Sequence, residues 1–208
     1  MNKSDLIKQW TKLKIITDKN VLNAFKKVKR EDFVVKEYLK EAYEDVPLPI
    51  LQLQTISQPT TVVIMLQALE VKKGMNVLEI GAGSGYNAAL LSVLVGKSGK
   101  VYTTEIIPEL ADFAQDNLKD FRNVEVHQCN GSHGLPAYGP FDRIICTAAA
   151  KKIPKPLIDQ LKEGGIIVIP VGPKYGQKMV KAKKVKGKLK KQDLGTFMFV
   201  PLVGEFEG

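Results

Sequence analysis

The sequence predicts an α/β fold built on a doubly wound, mostly parallel sheet, with an N-terminal helical cap and a C-terminal antiparallel hairpin. Three observations predict it. Short apolar runs alternate with helical segments from Asn76 to Pro170, the pattern of successive βα units. The first of those runs breaks into glycines spaced two apart, Gly81, Gly83 and Gly85, and then becomes helical. Beyond Gly164-Gly165 the pattern changes to polar, lysine-rich segments that turn at Lys186-Gly187.

The elements follow in order. Ser4 to about Lys14 places Leu6, Ile7, Trp10 and Leu13 at helical spacing. Asp18 can cap a second helix, Val21 to Val28, that buries Val21, Leu22, Phe25 and Val28. Arg30 to Pro49 loses periodicity, and Pro47 and Pro49 hold it extended. Pro59 suits the first turn of a helix reaching about Leu69. Strand Asn76–Ile80 precedes helix Tyr86–Val95, and strand Val101–Thr104 precedes helix Pro108–Leu118. Strand Val124–Gln128 comes next, then strand Arg143–Thr147 and helix Pro154–Leu161, stopped by Gly164-Gly165. Strand Ile166–Pro170, the lysine-rich hairpin and a last strand Phe197–Leu202 complete the chain.

With 208 residues and 44% hydrophobic content, the chain suffices for one domain with a full core and is short for two. No apolar run approaches a membrane span, and the N-terminus lacks a signal-peptide core, so a cytoplasmic protein without a membrane partner is expected. Cys129 and Cys146 read as small core residues on neighbouring strands. His127 and His133 are the only histidines, and no H-E-x-x-H, C-x-x-C or carboxylate–histidine cluster accompanies them, so no metal site is expected. No G-x-S-x-G elbow supports a serine hydrolase. The net charge of +9 is concentrated in lysines between Lys178 and Lys191. With no aromatic residues interleaved for base stacking, they read as guards of an exposed strand edge, and nucleic acid is not expected as a partner.

The stretch Val77-Leu-Glu-Ile-Gly-Ala-Gly-Ser-Gly-Tyr86 is a strand, a tight turn and a helix N-terminus. Glycines there let backbone lie against a ligand, and the helix offers unpaired N–H groups. A dinucleotide fingerprint would place its third glycine one residue later, and no phosphate-cradling P-loop is present. The form E-x-G-x-G-x-G resembles the first motif of class I methyltransferases, which bind S-adenosyl-L-methionine. Glu105 lies twenty positions after Gly85, at the end of the next strand, the spacing of an acid that accepts from ribose hydroxyls.

A second segment, Leu48-Pro-Ile-Leu-Gln-Leu-Gln-Thr-Ile-Ser-Gln-Pro59, gathers hydroxyl and amide side chains in an irregular loop. Its Ser57 is also placed to cap the helix that begins near Pro59. Together with the glycine motif, Gln54-Thr-Ile-Ser-Gln-Pro59 resembles the protein-L-isoaspartate O-methyltransferase family. Phe141-Asp-Arg-Ile-Ile-Cys-Thr-Ala-Ala-Ala150, Pro170-Val-Gly172, Phe199-Val-Pro-Leu-Val-Gly204 and, upstream, Val28-Lys-Arg-Glu-Asp-Phe33 extend the resemblance over nearly the whole chain.

The resemblance implies one class I methyltransferase domain. Residues 1–70 would form the helical cap and substrate loop, and residues 71–208 a Rossmann-like cofactor core. It implies a repair enzyme that methylates the free α-carboxylate of L-isoaspartyl residues in damaged proteins and peptides, leaving S-adenosyl-L-homocysteine. It assigns Ser57 to the catalytic site as a hydrogen-bond donor to the substrate carboxylate. Gln54, Thr55 and Ile56 would line the same wall near the cofactor's methionine moiety. Gly81 and Gly83 would meet the cofactor through backbone, Glu79 would position the methionine amino group through the turn, and Glu105 would hold the ribose. Asn130 and Gly131 stand where the family usually has an acid and a glycine after the third strand of the core, and the Asn130 carbonyl would accept from the adenine amino group. The family also tends to carry glycines where this chain has Leu51-Gln52-Leu53.

Two other readings stay open from the sequence: a class I methyltransferase acting on RNA or a small nucleophile, and a cofactor-binding protein that has lost catalysis. The oligomeric state is not encoded in any motif, and a monomer is favoured.

Overall fold

A computed structural model describes residues 1–173 and 176–203. Chain order gives α1 (Lys3–Lys12), α2 (Lys19–Lys27), β1 (Leu48–Pro49), β2 (Thr55–Ile56), α3 (Pro59–Leu69), β3 (Asn76–Ile80), α4 (Tyr86–Val95), β4 (Lys100–Glu105), α5 (Pro108–Leu118), β5 (Val124–Gln128), β6 (Phe141–Cys146), α6 (Lys155–Asp159), β7 (Leu161–Val171), β8 (Gln177–Val185) and β9 (Lys188–Phe197). Strands β3 to β9 form one sheet in the order β5-β4-β3-β6-β7-β8-β9. Pairing is parallel from β5 to β7 and antiparallel through β8 and β9. The predicted doubly wound sheet with its terminal hairpin is therefore present. Lys186 and Gly187 make the hairpin turn, both at positive φ.

The central strands read as apolar runs because both faces are covered. Val77, Leu78, Ile144, Ile145, Ile167 and Val168 are fully buried. Helix α4 is apolar nearly all round, with Ala88, Ala89, Leu90, Leu91 and Val95 inaccessible to solvent, because it lies between the sheet and the N-terminal cap. Each such leucine contributes about 1.5–3 kcal/mol by burial.

The cap docks through aromatic residues. Trp10 meets Phe25 edge-on at 5.1 Å, Phe25 meets Tyr86 at 6.2 Å, and the Trp10 indole N–H donates to Thr60 Oγ1 at 2.7 Å. Asp18 caps α2 as expected, accepting from the N–H groups of Asn20 and Val21.

Several sequence expectations change. The stretch Arg30 to Pro49 is not simply extended: it contains 3-10 turns at Arg30–Phe33 and Lys36–Glu41 before β1. Helix α6 ends at Asp159, because Leu161 already pairs with Phe141. Gly164 and Gly165 accordingly lie inside β7, where the pairing with β6 shifts register, and do not stop a helix. The last strand ends at Phe197. The described residues beyond it leave the hairpin: Pro201 bridges to Ala149, Phe199 N donates to Gln177 Oε1 on β8, and Leu202 is buried. Gly204 of the family-like C-terminal segment lies outside the described residues. Cys129 follows β5 and Cys146 ends β6, and β4 and β3 stand between those strands, so they are not neighbours.

Candidate active site

Strand β3 has β4 on one side and β6 on the other, and the chain crosses to opposite halves of the sheet from there. Such a switch point opens a crevice beyond the carboxyl ends of the strands. A cavity of about 1080 Å³ lies there. Its base is the glycine turn. Gly81 has φ 93°, and a Cβ on it would come within 2.5 Å of Thr147 Oγ1. That hydroxyl donates to the Gly81 carbonyl at 2.8 Å, pinning the turn to the end of β6. Gly131 is needed for a different reason: a Cβ there would lie 2.2 Å from Thr104 Oγ1. Any larger residue would push the Asn130–Gly131 loop off the sheet.

Glu105 stands at the end of β4, 7% exposed, and faces the cavity. Its Oε2 accepts from Gly83 N at 3.0 Å, and its Oε1 accepts from Ile106 N and Ile107 N at 2.9 and 3.1 Å. The carboxylate thus organises two loops. Oε2 accepts one of these three bonds and has capacity for another donor from the cavity.

Gln54, Thr55, Ile56 and Ser57 line the same cavity from the loop before α3. They are held there by a two-residue ribbon, in which Leu48 pairs with Ile56 and Pro49 with Thr55. Ser57 does not cap α3. The N-cap is Gln58 without a side-chain bond, and Asp45 serves the helix from a distance, accepting from Thr60 N and Thr60 Oγ1 at 2.9 and 2.6 Å. The Ser57 hydroxyl has no hydrogen-bond partner among the described residues and is directed to no structural task.

Of the residues expected at the site, Gln54, Thr55, Ile56, Ser57, Gly81, Gly83, Glu105, Asn130 and Gly131 all line this one cavity. Glu79 does not line it. Glu79 is fully buried, accepting from Thr103 Oγ1 and Asn87 Nδ2, both at 2.6 Å, and burial raises its carboxyl pKa to about 7. Asn130 lines the cavity, but its Oδ1 already accepts from Ser132 N at 3.0 Å and Ser132 Oγ at 2.8 Å. Its carbonyl is therefore spent on the loop, and its amide N–H₂ is the group left for a ligand.

Three contributors were not foreseen. Asn87 and Thr147 face the cavity from α4 and from the end of β6, and Met198 to Val203 close one side. Cys146 is no nucleophile: burial pushes its thiol up to about 12. Among the described residues no group of three or more His, Cys, Asp or Glu side chains could hold a metal ion.

Comparison with known proteins decides the family. The family described as Protein-L-isoaspartate(D-aspartate) O-methyltransferase matches residues 1–207. The chain belongs to this family. A protein-L-isoaspartate O-methyltransferase of Methanococcoides burtonii is 48% identical over 192 residues, 91% of this chain and 95% of its own length. A solved protein-L-isoaspartate O-methyltransferase superposes with a TM-score of 0.90 at 30% identity, over 99% of this chain and 67% of its own. A structure described as such an enzyme from Plasmodium falciparum, in complex with S-adenosyl-L-homocysteine, superposes with a TM-score of 0.86 at 27% identity, over 98% of this chain and 99% of its own. Membership in the isoaspartate methyltransferase family thus rests on sequence and fold together, across essentially the whole chain.

Proposed function

We propose that this chain transfers a methyl group from S-adenosyl-L-methionine to the free α-carboxylate of L-isoaspartyl residues in damaged proteins. The observation that carries the reading is convergence. The glycine turn with Glu105 and the Gln54–Ser57 loop, far apart in sequence, line one cavity.

The residues fit the cofactor. The turn at Gly81 admits no Cβ on its packed side, Gly83 presents backbone, and Glu105 offers a partly free carboxylate oxygen to ribose hydroxyls. Asn87 lines the cavity with its amide fixed by Glu79, so Glu79 acts on the methionine end through Asn87. When bound, the cofactor supplies an electrophilic methyl group on a sulfonium that departs as a neutral thioether.

The protein's part is alignment. An α-carboxylate is already ionised at neutral pH, so no general base is required. Ser57 donates a hydrogen bond that orients the attacking oxygen and is not a nucleophile. Holding oxygen, methyl and sulfur in line can lower the barrier by several kcal/mol, on the order of 7–11 at the limit. Residues 1–70 supply the cap and substrate loop and residues 71–208 the cofactor core of a single domain acting as a monomer. Two free cysteines suit a reducing cytoplasm.

Sequential titration tests this arrangement. S-adenosyl-L-homocysteine should bind, and an L-isoaspartyl peptide should then bind to the loaded protein, with the matched aspartyl peptide much weaker. A peptide excluded by bound S-adenosyl-L-homocysteine would contradict this assignment of the cavity.

A further inference from the structure

Two large apolar side chains of the cavity lining stand unpacked. Leu53 is 98% exposed and Met198 is 76% exposed. Both line the cavity, Leu53 from the substrate loop and Met198 from the segment after β9. Scattered surface leucines are ordinary, but these two line one cavity.

The backbone beneath Leu53 makes it more unusual. Gln52 and Leu53 have φ of 55° and 56°, the left-handed region. A leucine gains nothing there, since asparagine or glycine is accommodated more readily. The loop is closed by its own backbone, with Ile50 N donating to Gln54 O at 2.9 Å and Gln54 N to Leu51 O at 3.1 Å. Leu53 adds no burial to offset the strain. On the other side, Phe199 N donates to Gln177 Oε1 at 2.9 Å and Ala149 N to Val200 O at 2.8 Å, which fixes the segment behind Met198. Both apolar side chains thus project from held backbone.

We infer that Leu53 and Met198 form a clamp for an apolar side chain next to the isoaspartyl residue, and so set the sequence preference of the substrate. The inference rests on the reading of Ser57 as the residue that receives the isoaspartyl carboxylate. Leu53 stands four positions before Ser57 on the same loop and lines the same cavity, so a polypeptide whose carboxylate enters at Ser57 has it within reach of its neighbouring side chains. An extended, unfolded segment can present an apolar neighbour to the clamp, whereas a folded surface keeps such side chains inside.

The test uses the full chain and isoaspartyl peptides carrying leucine or serine beside the isoaspartate, on each side in turn. The leucine peptide should be preferred by about tenfold in kcat/KM, mainly through KM. Leu53→Asn should bring the ratio towards one, and its left-handed backbone suits asparagine, so its melting temperature should not fall. Met198→Ser, at an exposed position, should act in the same direction, and the double variant should add little because both grip one side chain. A ratio near one in the unaltered protein, or a ratio unchanged in both variants, would overturn the clamp. Absence of transfer to every isoaspartyl peptide would overturn the reaction itself, and the clamp with it.

Discussion

Asn87 Nδ2 donates to Glu79 Oε1 at 2.6 Å, and this bond joins a fully buried carboxyl group on β3 to a side chain in the cavity wall. The second oxygen of Glu79 accepts from Thr103 Oγ1, so the carboxyl is satisfied on both sides. Burial still dominates, lifting its pKa from an ordinary 4.5 to about 7.

A pH dependence follows for Glu79. The folded-state value lies above the unfolded one, so the proton is held more tightly in the folded protein. The resulting stabilisation is fully present below about pH 4.5 and is lost as pH rises towards 7. Its size is on the order of 3 kcal/mol. Chemical denaturation between pH 4.5 and 7 should show this fall, and Glu79→Gln should flatten it. An equal fall in the variant would remove Glu79 as its source.

Ser57→Ala should reduce kcat by about tenfold to a hundredfold, the loss of one hydrogen bond to a charged group. Affinity for S-adenosyl-L-homocysteine should stay nearly unchanged, because the cofactor is assigned to the glycine turn and Glu105 and Ser57 sits on the substrate loop. Calorimetry beside steady-state kinetics separates the two effects.

Glu105→Gln should do the reverse. The carboxylate serves the backbone N–H groups of Gly83, Ile106 and Ile107. An amide group must turn an N–H₂ towards one of these donors. S-adenosyl-L-homocysteine affinity should drop by roughly tenfold to a hundredfold with a modest loss of melting temperature. Unchanged affinity would count against the ribose contact.

Asn130→Asp should tighten cofactor binding several-fold. One carboxylate oxygen can keep both bonds from Ser132, and the other then faces the cavity as an acceptor for the adenine amino group. Titration with S-adenosyl-L-homocysteine measures the change. Weaker binding would indicate that the amide N–H₂ of Asn130 already donates to the ring.

The parts of the site written as contiguous residues were legible in the sequence. The glycines and the acid after the next strand announce themselves by local spacing, and they meet because βα alternation fixes where strand ends lie. Gln54 to Ser57 stand out as a polar cluster in an irregular loop, and the family resemblance gives them their roles. What was not legible depends on tertiary contact. No local pattern tells that Asp45 rather than Ser57 caps α3, that Thr147 pins the Gly81 turn, or that Asn87 carries the influence of Glu79. Asn130 shows the same limit: its residue type suggested an acceptor, but Ser132 two positions on takes both lone pairs. The boundary of α6 was missed because pairing of Leu161 with Phe141 overrides helical periodicity.

The most direct test of the central claim is methyl transfer from labelled S-adenosyl-L-methionine to two peptides differing only in L-isoaspartate versus L-aspartate. Base-labile label on the isoaspartyl peptide alone is the predicted result, since the proposed role of Ser57 is to orient a free carboxylate on Cα. In the aspartyl peptide that carboxyl is tied up in the peptide bond, and the free one sits a methylene further from the main chain. Equal labelling of both peptides, or none on either while the cofactor binds, would contradict it.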